Sequence, residues 1–329
     1  MQLPKVVFGT SALGNLYLAP SQEEKNAIVG ECLRYADKPA VFDTAGKYGA
    51  GLALEALGAA LSHWQVPAGQ VLISNKLGWY RVPMKGSEPT FEPGVWKDIR
   101  HDAEQRISYD GILQCFEQGN ALLGNYQAQL VSVHDPDEYL ATAETIKERA
   151  KKLEDIKAAY QALQDLKAAG RVLAIGVGAK NWEVIREITD QVQLDWVMIA
   201  NSMTLHSHPA ELAAYIRSLQ DRGIAVINSA VFNGGFLTGG DFYNYKAVDG
   251  SEAAHAELLQ WRSEFFAACK LHSVSPAHAC VQFGLQVPGV AAVAMSTSKA
   301  AKVKDNVEMV KTPIPPAFWA YLKSRKLIS

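Results

Sequence analysis

Eight short apolar runs, each followed by a longer amphipathic stretch, predict an α/β fold. The form they predict is a closed (β/α)8 TIM barrel with long βα-loops at its C-terminal face. The runs fall at residues 6–10, 40–45, 71–77, 129–135, 172–179, 194–201, 224–232 and 289–296. Several are apolar almost throughout, as in Val172-Leu173-Ala174-Ile175-Gly176-Val177, which suits a parallel strand covered on both faces. The first run leads into Gly9-Thr10-Ser11-Ala12-Leu13-Gly14, which lacks the GxGxxG spacing of a doubly wound dinucleotide-binding sheet. A barrel is therefore preferred to an open sheet.

The helical stretches carry their own boundary signals. Ser21 precedes Glu24 in capping-box spacing and opens a helix over 21–37. A stretch rich in Ala, Lys and Glu over 145–169 stops at Gly170, and another over 208–222 stops at Gly223. Three segments exceed ordinary connections. Residues 78–107 carry Pro83, Pro89 and Pro93 with Trp79, Tyr80, Phe91 and Trp96. Residues 233–250 carry Phe242, Tyr243 and Tyr245. Both follow barrel strands on the catalytic face, where aromatic loops suit a substrate wall or lid, although insertions that merely pack on the barrel have similar composition. The third is the tail after Pro313, where Pro315-Pro316 starts a short helix bearing Trp319. With no repeat beyond the βα rhythm and no linker, one domain over 1–329 is the simplest reading.

Composition narrows the function classes. Hydrophobic residues make up 48% and charged residues 20%, as in ordinary globular chains. Thirty-two basic against 34 acidic residues leave a net charge of −2, too small a field to draw nucleic acid or an anionic membrane. No apolar run approaches the roughly 20 residues of a spanning helix. Met1 to Val6 lack a basic n-region followed by an apolar h-region. Cys32, Cys115, Cys269 and Cys280 have no zinc spacing and read as reduced thiols. A cytoplasmic enzyme or binding scaffold is expected, a monomer or small homo-oligomer with no metal.

Chemistry on a barrel belongs at the C-terminal ends of its strands. Asp43 ends the second strand with Tyr48 just beyond, Lys76 ends the third, and His134 ends the fourth ahead of Asp135. A phenol with a reference pKa near 10 is a poor acid-base at neutral pH. An ammonium within about 4–6 Å stabilises the phenolate and lowers that pKa by about 1–3 units. A carboxylate on the neighbouring strand keeps the ammonium charged, and a histidine can donate to a substrate oxygen. Such a set exchanges a proton with an alcohol or carbonyl while a second agent carries hydride. Taken singly, each residue has a structural reading: a buried Asp–Lys pair, a packing tyrosine, a core histidine. Their joint arrival at consecutive strand ends points to catalysis.

Several stretches also carry a resemblance. Phe42-Asp43-Thr44-Ala45-Gly46-Lys47-Tyr48-Gly49-Ala50-Gly51, running on to Glu55-Ala56-Leu57-Gly58, resembles the signature of the aldo-keto reductase family. So do Ser74-Asn75-Lys76-Leu77-Gly78, Val133-His134-Asp135-Pro136-Asp137 and Ala174-Ile175-Gly176-Val177-Gly178, in order along the chain. The resemblance implies an NADP- or NAD-dependent barrel oxidoreductase without metal. In it Tyr48 is the acid-base, Lys76 and Asp43 tune it, and His134 orients substrate. Residues 9–17, Ile107-Ser108-Tyr109-Asp110-Gly111, Val231-Phe232-Asn233-Gly234-Gly235 and Tyr243-Asn244-Tyr245 are similar to the D-threo-aldose 1-dehydrogenase group. That group takes in L-fucose, L-galactose and pyridoxal dehydrogenases. It implies oxidation of an aldose such as L-fucose, D-arabinose or L-galactose to a lactone, with Trp79, Tyr80 and Asn15 as substrate residues.

The same resemblance places Thr10, Asn201, Ser229 and Phe232 beside the cofactor, with Thr297, Lys302, Asp305 and Asn306 at its phosphate and adenine end. Hydroxyls, backbone amides and a helix N-terminus after the eighth strand form an anion site. Lys302 falls where a base meets the adenosine 2′-phosphate, although Lys299, Lys302 and Lys304 alone would read as a solvated helix face. Near the nicotinamide the chain departs from the family pattern. Gly178-Ala179 stand where Ser-Asn is usual, with Asn181 the nearest amide, Ser229 replaces a stacking aromatic, and Met198 replaces a glutamine. Asn201, Asn228 or Phe232 are the candidates to substitute. The alternatives are a pyridoxal dehydrogenase or general aldehyde reductase of the same family, or a cofactor-binding redox-sensing regulatory subunit. No strand offers the His-x-His of a barrel metallohydrolase, and GxSxG is absent.

Overall fold

The computed structural model describes residues 2–244, 246–249 and 252–329, so Met1, Tyr245 and Gly250, named above, lie outside the described residues. Eight strands form the barrel. They are β1 (Val6–Gly9), β2 (Ala40–Ala45), β3 (Val71–Leu77), β4 (Leu130–His134), β5 (Ala174–Ala179), β6 (Trp196–Ala200), β7 (Ala225–Ser229) and β8 (Val290–Met295). All pair in parallel with their chain neighbours, and β8 returns to β1 to close the sheet. Eleven helices accompany them among the described residues. They are α1 (Gln22–Tyr35), α2 (Leu52–His63), α3 (Tyr109–Leu123), α4 (Pro136–Ala141), α5 (Ile146–Ala168), α6 (Trp182–Thr189), α7 (Ala210–Asp221), α8 (Ala253–Leu271), α9 (Pro276–Gln286), α10 (Val303–Lys311) and α11 (Pro316–Ser324). None is long and apolar enough to cross a membrane among the described residues.

Local sequence accounts for the element ends. The capping box forms: Ser21 Oγ accepts from the Glu24 amide at 3.2 Å, and the Ser21 amide donates to Glu24 Oε2 at 2.7 Å. Thr145 Oγ1 caps α5 by accepting from the Glu148 amide at 3.1 Å. The strands stop earlier than their apolar runs suggest. Asp135, Asn201 and Ala230 take left-handed backbone with φ of 47°, 61° and 52°, turning the chain outward just past β4, β6 and β7. Apolar residues such as Val231 continue beyond the turn, buried, which is why the run in the sequence overshoots.

Alternation along each strand sorts side chains into two cores. Val7, Val41, Leu130, Trp196, Met198, Ile227 and Ala292 fill the barrel interior. At Gly176 a Cβ would lie 2.3 Å from the Trp196 ring, so glycine makes the room for the largest of these side chains. The outward residues pack under the helices, with Leu57 of α2, Phe116 of α3 and Leu163 of α5 fully buried. A satellite core gathers Phe236, Phe265, Cys280 and Phe318 beneath α8, α9 and α11.

Two long segments hold structure that the sequence conceals. Residues 78–107 contain an antiparallel pair, Trp79–Pro83 with His101–Gln105. Its strands are mixed in polarity and lie far apart in sequence, so no hairpin turn announces them. In 233–250, Phe242–Tyr243 pairs with Lys246–Ala247.

Candidate active site

Register brings the polar strand ends together. Asp43 pairs with Ser74 and Ala45 with Lys76 between β2 and β3, Lys76 with Ser132 between β3 and β4, and His134 with Gly178 between β4 and β5. Asp43, Lys76 and His134 therefore share the interior face at one end of the barrel. Lys76 Nζ donates to Asp43 Oδ2 and, at 3.2 Å, to the Thr44 carbonyl, while Ser74 Oγ donates to Asp43 Oδ1 at 3.1 Å. Lysine and aspartate are both about 3% exposed, so neither could hold its charge there without the other. The Lys76 stem lies against Gly178, where a Cβ would come within 3.1 Å of Cδ. This close approach leaves little space for the serine usual at that position.

Tyr48 sits over this pair. Lys76 Nζ is 4.7 Å from the Tyr48 ring centroid, and the His134 ring meets Tyr48 edge-on at 5.7 Å and 85°. Burial, then the Lys76 and Lys47 ammoniums, hold His134 well below its ordinary pKa, so it is a neutral imidazole. Its Nδ1 is buried with no partner among the described residues. Trp96 packs against a third side of the phenol, with ring centroids 5.8 Å apart. In the sequence Trp96 is only one aromatic of a long loop, since nothing local pairs it with Tyr48.

The three substrate candidates are placed differently. Trp79 lies 5.2 Å from Lys47 Nζ and 5.7 Å from the Phe91 ring, in the small cluster that also takes in Tyr48 and Trp96. Tyr80, the next residue of the hairpin, points to the opposite face, where the Arg106 guanidinium stacks on it at 3.9 Å. The structure does not bring Tyr80 to Tyr48. Asn15 is buried at the loop after β1 and fastens the long insertion, donating through Nδ2 to the Lys97 carbonyl at 2.8 Å.

On the cofactor side, Asn201 Oδ1 is buried without a partner, while the Asn201 amide donates to the Ser229 carbonyl at 3.2 Å. An orphaned acceptor at a strand end fits a carboxamide N–H. Ser229 Oγ is committed to the Ile199 carbonyl at 3.2 Å, and Thr10 Oγ1 to the Asp43 carbonyl at 3.0 Å. Asn228 faces outward, donating to the carbonyls of Met203 and Gly284, and Asn181 caps α6 by accepting from Glu183. Among the described residues Asn228 Oδ1 is also without a partner, but its Nδ2 ties the side chain to carbonyls outside the barrel, whereas Asn201 has no such tie. Phe232 packs half-buried between the barrel shell and the satellite core. Beyond β8, Thr297 Oγ1 accepts from the Lys299 amide at 3.1 Å, and Ser296 Oγ accepts from Ser11 at 3.2 Å. Lys302 precedes the first turn of α10 and pairs with Asp305 at 3.3 Å, with the Asn306 residue adjoining, half-buried. These hydroxyls, the lysine and the helix start fit the phosphates of a dinucleotide.

The chain is 26% identical to pyridoxal 4-dehydrogenase of Microbacterium luteolum, over 98% of this chain and 93% of that one. It is 26% identical to D-threo-aldose 1-dehydrogenase of a Pseudomonas species (100% and 95%) and 24% identical to L-galactose dehydrogenase of Arabidopsis thaliana (94% and 85%). Among solved structures, an aldo-keto reductase of Bacillus halodurans superposes with a TM-score of 0.71 at 19% identity, covering 100% of this chain and 96% of its own. A glycerol dehydrogenase of Gluconobacter oxydans gives 0.67 at 17%, covering 97% and 90%. The Aldo/keto reductase family model matches residues 5–326. The polar set at the ends of β2, β3 and β4 thus sits in a nicotinamide-dependent oxidoreductase, and the chain belongs to the aldo/keto reductase family.

Proposed function

We propose that this enzyme oxidises the anomeric carbon of a free aldose to a lactone, with Tyr48 as the group that moves the proton. The observation that carries the reading is the stack of Asp43, Lys76 and Tyr48, with His134 edge-on to the phenol. A cation 4.7 Å from the Tyr48 ring favours negative charge on that phenol, and Asp43 keeps the cation in place. Tyr48 as phenolate takes the proton of the C1 hydroxyl as that C–O bond becomes the lactone carbonyl. The proton later passes from Tyr48 to solvent. His134, neutral, donates one hydrogen bond to the reacting oxygen, and it carries no charge that would compete with Lys76. When bound, a nicotinamide supplies the two-electron acceptor for the hydride leaving C1. Asn201 would hold its carboxamide, with Thr297, Lys302, Asp305 and Asn306 at the phosphate and adenine end. Lys302 favours NADP over NAD, and Asp305 moderates that preference. Trp79 lines the substrate side.

The relatives named D-threo-aldose 1-dehydrogenase and L-galactose dehydrogenase support this substrate class, and the one named pyridoxal 4-dehydrogenase supplies the competing one. The test is absorbance at the reduced-nicotinamide band with L-fucose, D-arabinose, L-galactose and pyridoxal, each with NAD+ and NADP+. Turnover of one or more sugars is expected. Turnover of pyridoxal alone replaces the aldose reading, and no turnover of any of the four removes it.

A further inference from the structure

The residue before Tyr48 is a lysine whose side chain is only 4% exposed. Lys47 Nζ is bound by three carboxylates: Glu92 Oε1 at 2.9 Å, Asp135 Oδ2 at 3.2 Å and Glu138 Oε2 at 2.9 Å. They come from three places in the chain. Glu92 lies in the 78–107 insertion, Asp135 directly follows β4, and Glu138 is in the first turn of α4. Glu138 also binds Lys180, just past β5. Burial by itself would lower the Lys47 pKa, but Asp135, Glu92 and Glu138 together raise it above the ordinary lysine value. An ammonium this enclosed has its donors spent inside the protein and is not presented to substrate. Its effect is mechanical and electrostatic.

Glu92 is the link to the phenol. Its second oxygen, Oε2, accepts from Trp96 Nε1 at 2.8 Å, and Trp96 is the ring packed against Tyr48. The far edge of the same segment is tied to the loop after β1. There the Tyr17 amide donates to the Val95 carbonyl and the Lys97 amide to the Asn15 carbonyl, both at 2.9 Å.

We propose that Lys47 is a positioning residue. Its buried ammonium clasps Glu92 of the insertion to Asp135 and Glu138 beyond β4, and this clasp holds Trp96 against Tyr48 as one wall of the substrate site. The proposal deepens the reading of Tyr48 as proton acceptor and rests on it for its kinetic consequence alone. Losing the cation leaves the carboxylates repelling one another, so the insertion detaches at its Glu92 end. The loss also changes the field at His134. That imidazole is faced by Lys76 from β3, Tyr48 and Lys47 from beyond β2, Asp135 and Glu138 from beyond β4, and Lys180 from beyond β5. With Lys47 gone one of the cations that hold this imidazole neutral is lost, and its pKa rises toward the ordinary value.

The test is Lys47→Met, with Glu92→Gln as a second variant that cuts only the insertion's end of the clasp should the first not fold. Hydrogen exchange is read at the Tyr17 and Lys97 amides, alongside kinetics on whichever substrate the wild type turns over. Protection at both amides should fall. KM should rise about tenfold with kcat changed less than about threefold, as for a lost substrate wall. In Lys47→Met the acid limb of the pH profile should move to higher pH. Unchanged protection at both amides in either variant overturns the proposal. So does an unmoved KM and acid limb in a folded Lys47→Met. A wild type inert toward all aldoses would sink the functional reading, while the exchange result would still decide the clasp.

Discussion

The two halves of the barrel mouth are built in opposite ways. Around the ends of β2, β3 and β4, Asp43, Lys47, Lys76, His134 and Asp135 are all under 10% exposed, and each charge is met by a countercharge inside the protein. Beyond β8, Lys302 and Asp305 keep 61% and 52% of their side chains exposed, and they are each other's partner across one helical turn. The contrast matches the role proposed for each half. Moving a proton requires a fixed set of dipoles and charges in a water-poor place, where each is worth more than in water. Holding a phosphate requires a cation that can exchange water or a weak partner for the ligand, which an exposed lysine does readily.

This comparison can be broken at several points. The largest effect should come from Tyr48→Phe, which removes the proton acceptor and keeps the packing. The rate should fall by about 10²–10⁴-fold with cofactor affinity intact, and a loss under tenfold takes Tyr48 out of the proton path. Next is Lys76→Met, which strands the Asp43 carboxylate with Ser74 as its remaining side-chain donor. Urea unfolding should show a loss of about 3–5 kcal/mol, whereas Lys302→Met at the exposed pair should cost under about 0.5 kcal/mol. Equal losses would erase the distinction between the halves. Lys302→Met should instead appear in cofactor choice, raising KM for NADP+ about fivefold and leaving NAD+ unchanged, as for one screened charge contact. A parallel rise for both cofactors would place Lys302 away from the 2′-phosphate.

The remaining effect is a pH dependence. Burial, with Lys76 and Lys47, depresses the His134 pKa below 6.5, so the folded protein binds this proton less readily than the unfolded chain. The stability His134 allows is complete above about pH 6.5 and declines as pH falls below it, by up to about 1.4 kcal/mol per unit. His206 and His208 are shifted the same way, mainly by burial, so the contribution is read as a difference between proteins. Between about pH 7 and pH 5, His134→Gln should lose less stability than wild type. An equal loss would mean that His134 is not held neutral.

Much of this was legible before the fold. Asp43, Lys76 and His134 are polar residues ending apolar runs, and in a parallel barrel all such ends lie at one mouth. Helix boundaries at Ser21 and Thr145 were legible because a cap is a contact across three residues. Other features were not. The pleat of the insertion sends Trp79 and Tyr80 to opposite faces, and a segment read as loop carries no such alternation. In the sequence Asn181 and Asn228 read as candidates for a cofactor amide, but Asn181 Oδ1 caps a helix and Asn228 Nδ2 is tied to two carbonyls. Lys47 stood inside a recognised signature, yet its partners lie at Glu92, Asp135 and Glu138, and no spacing rule joins residues so far apart.

The amino-acid order alone determined the alternation of strand and helix, and therefore the end of the molecule at which Asp43, Lys76 and His134 emerge. Both follow from periodicity and chain direction, which act between near neighbours. Which loops meet above that end, with Trp96 against Tyr48 and one buried ammonium tying three segments, was decided only when the barrel closed. Closure sets the register between strands, and only then do charges distant in the chain come close enough to stabilise one another.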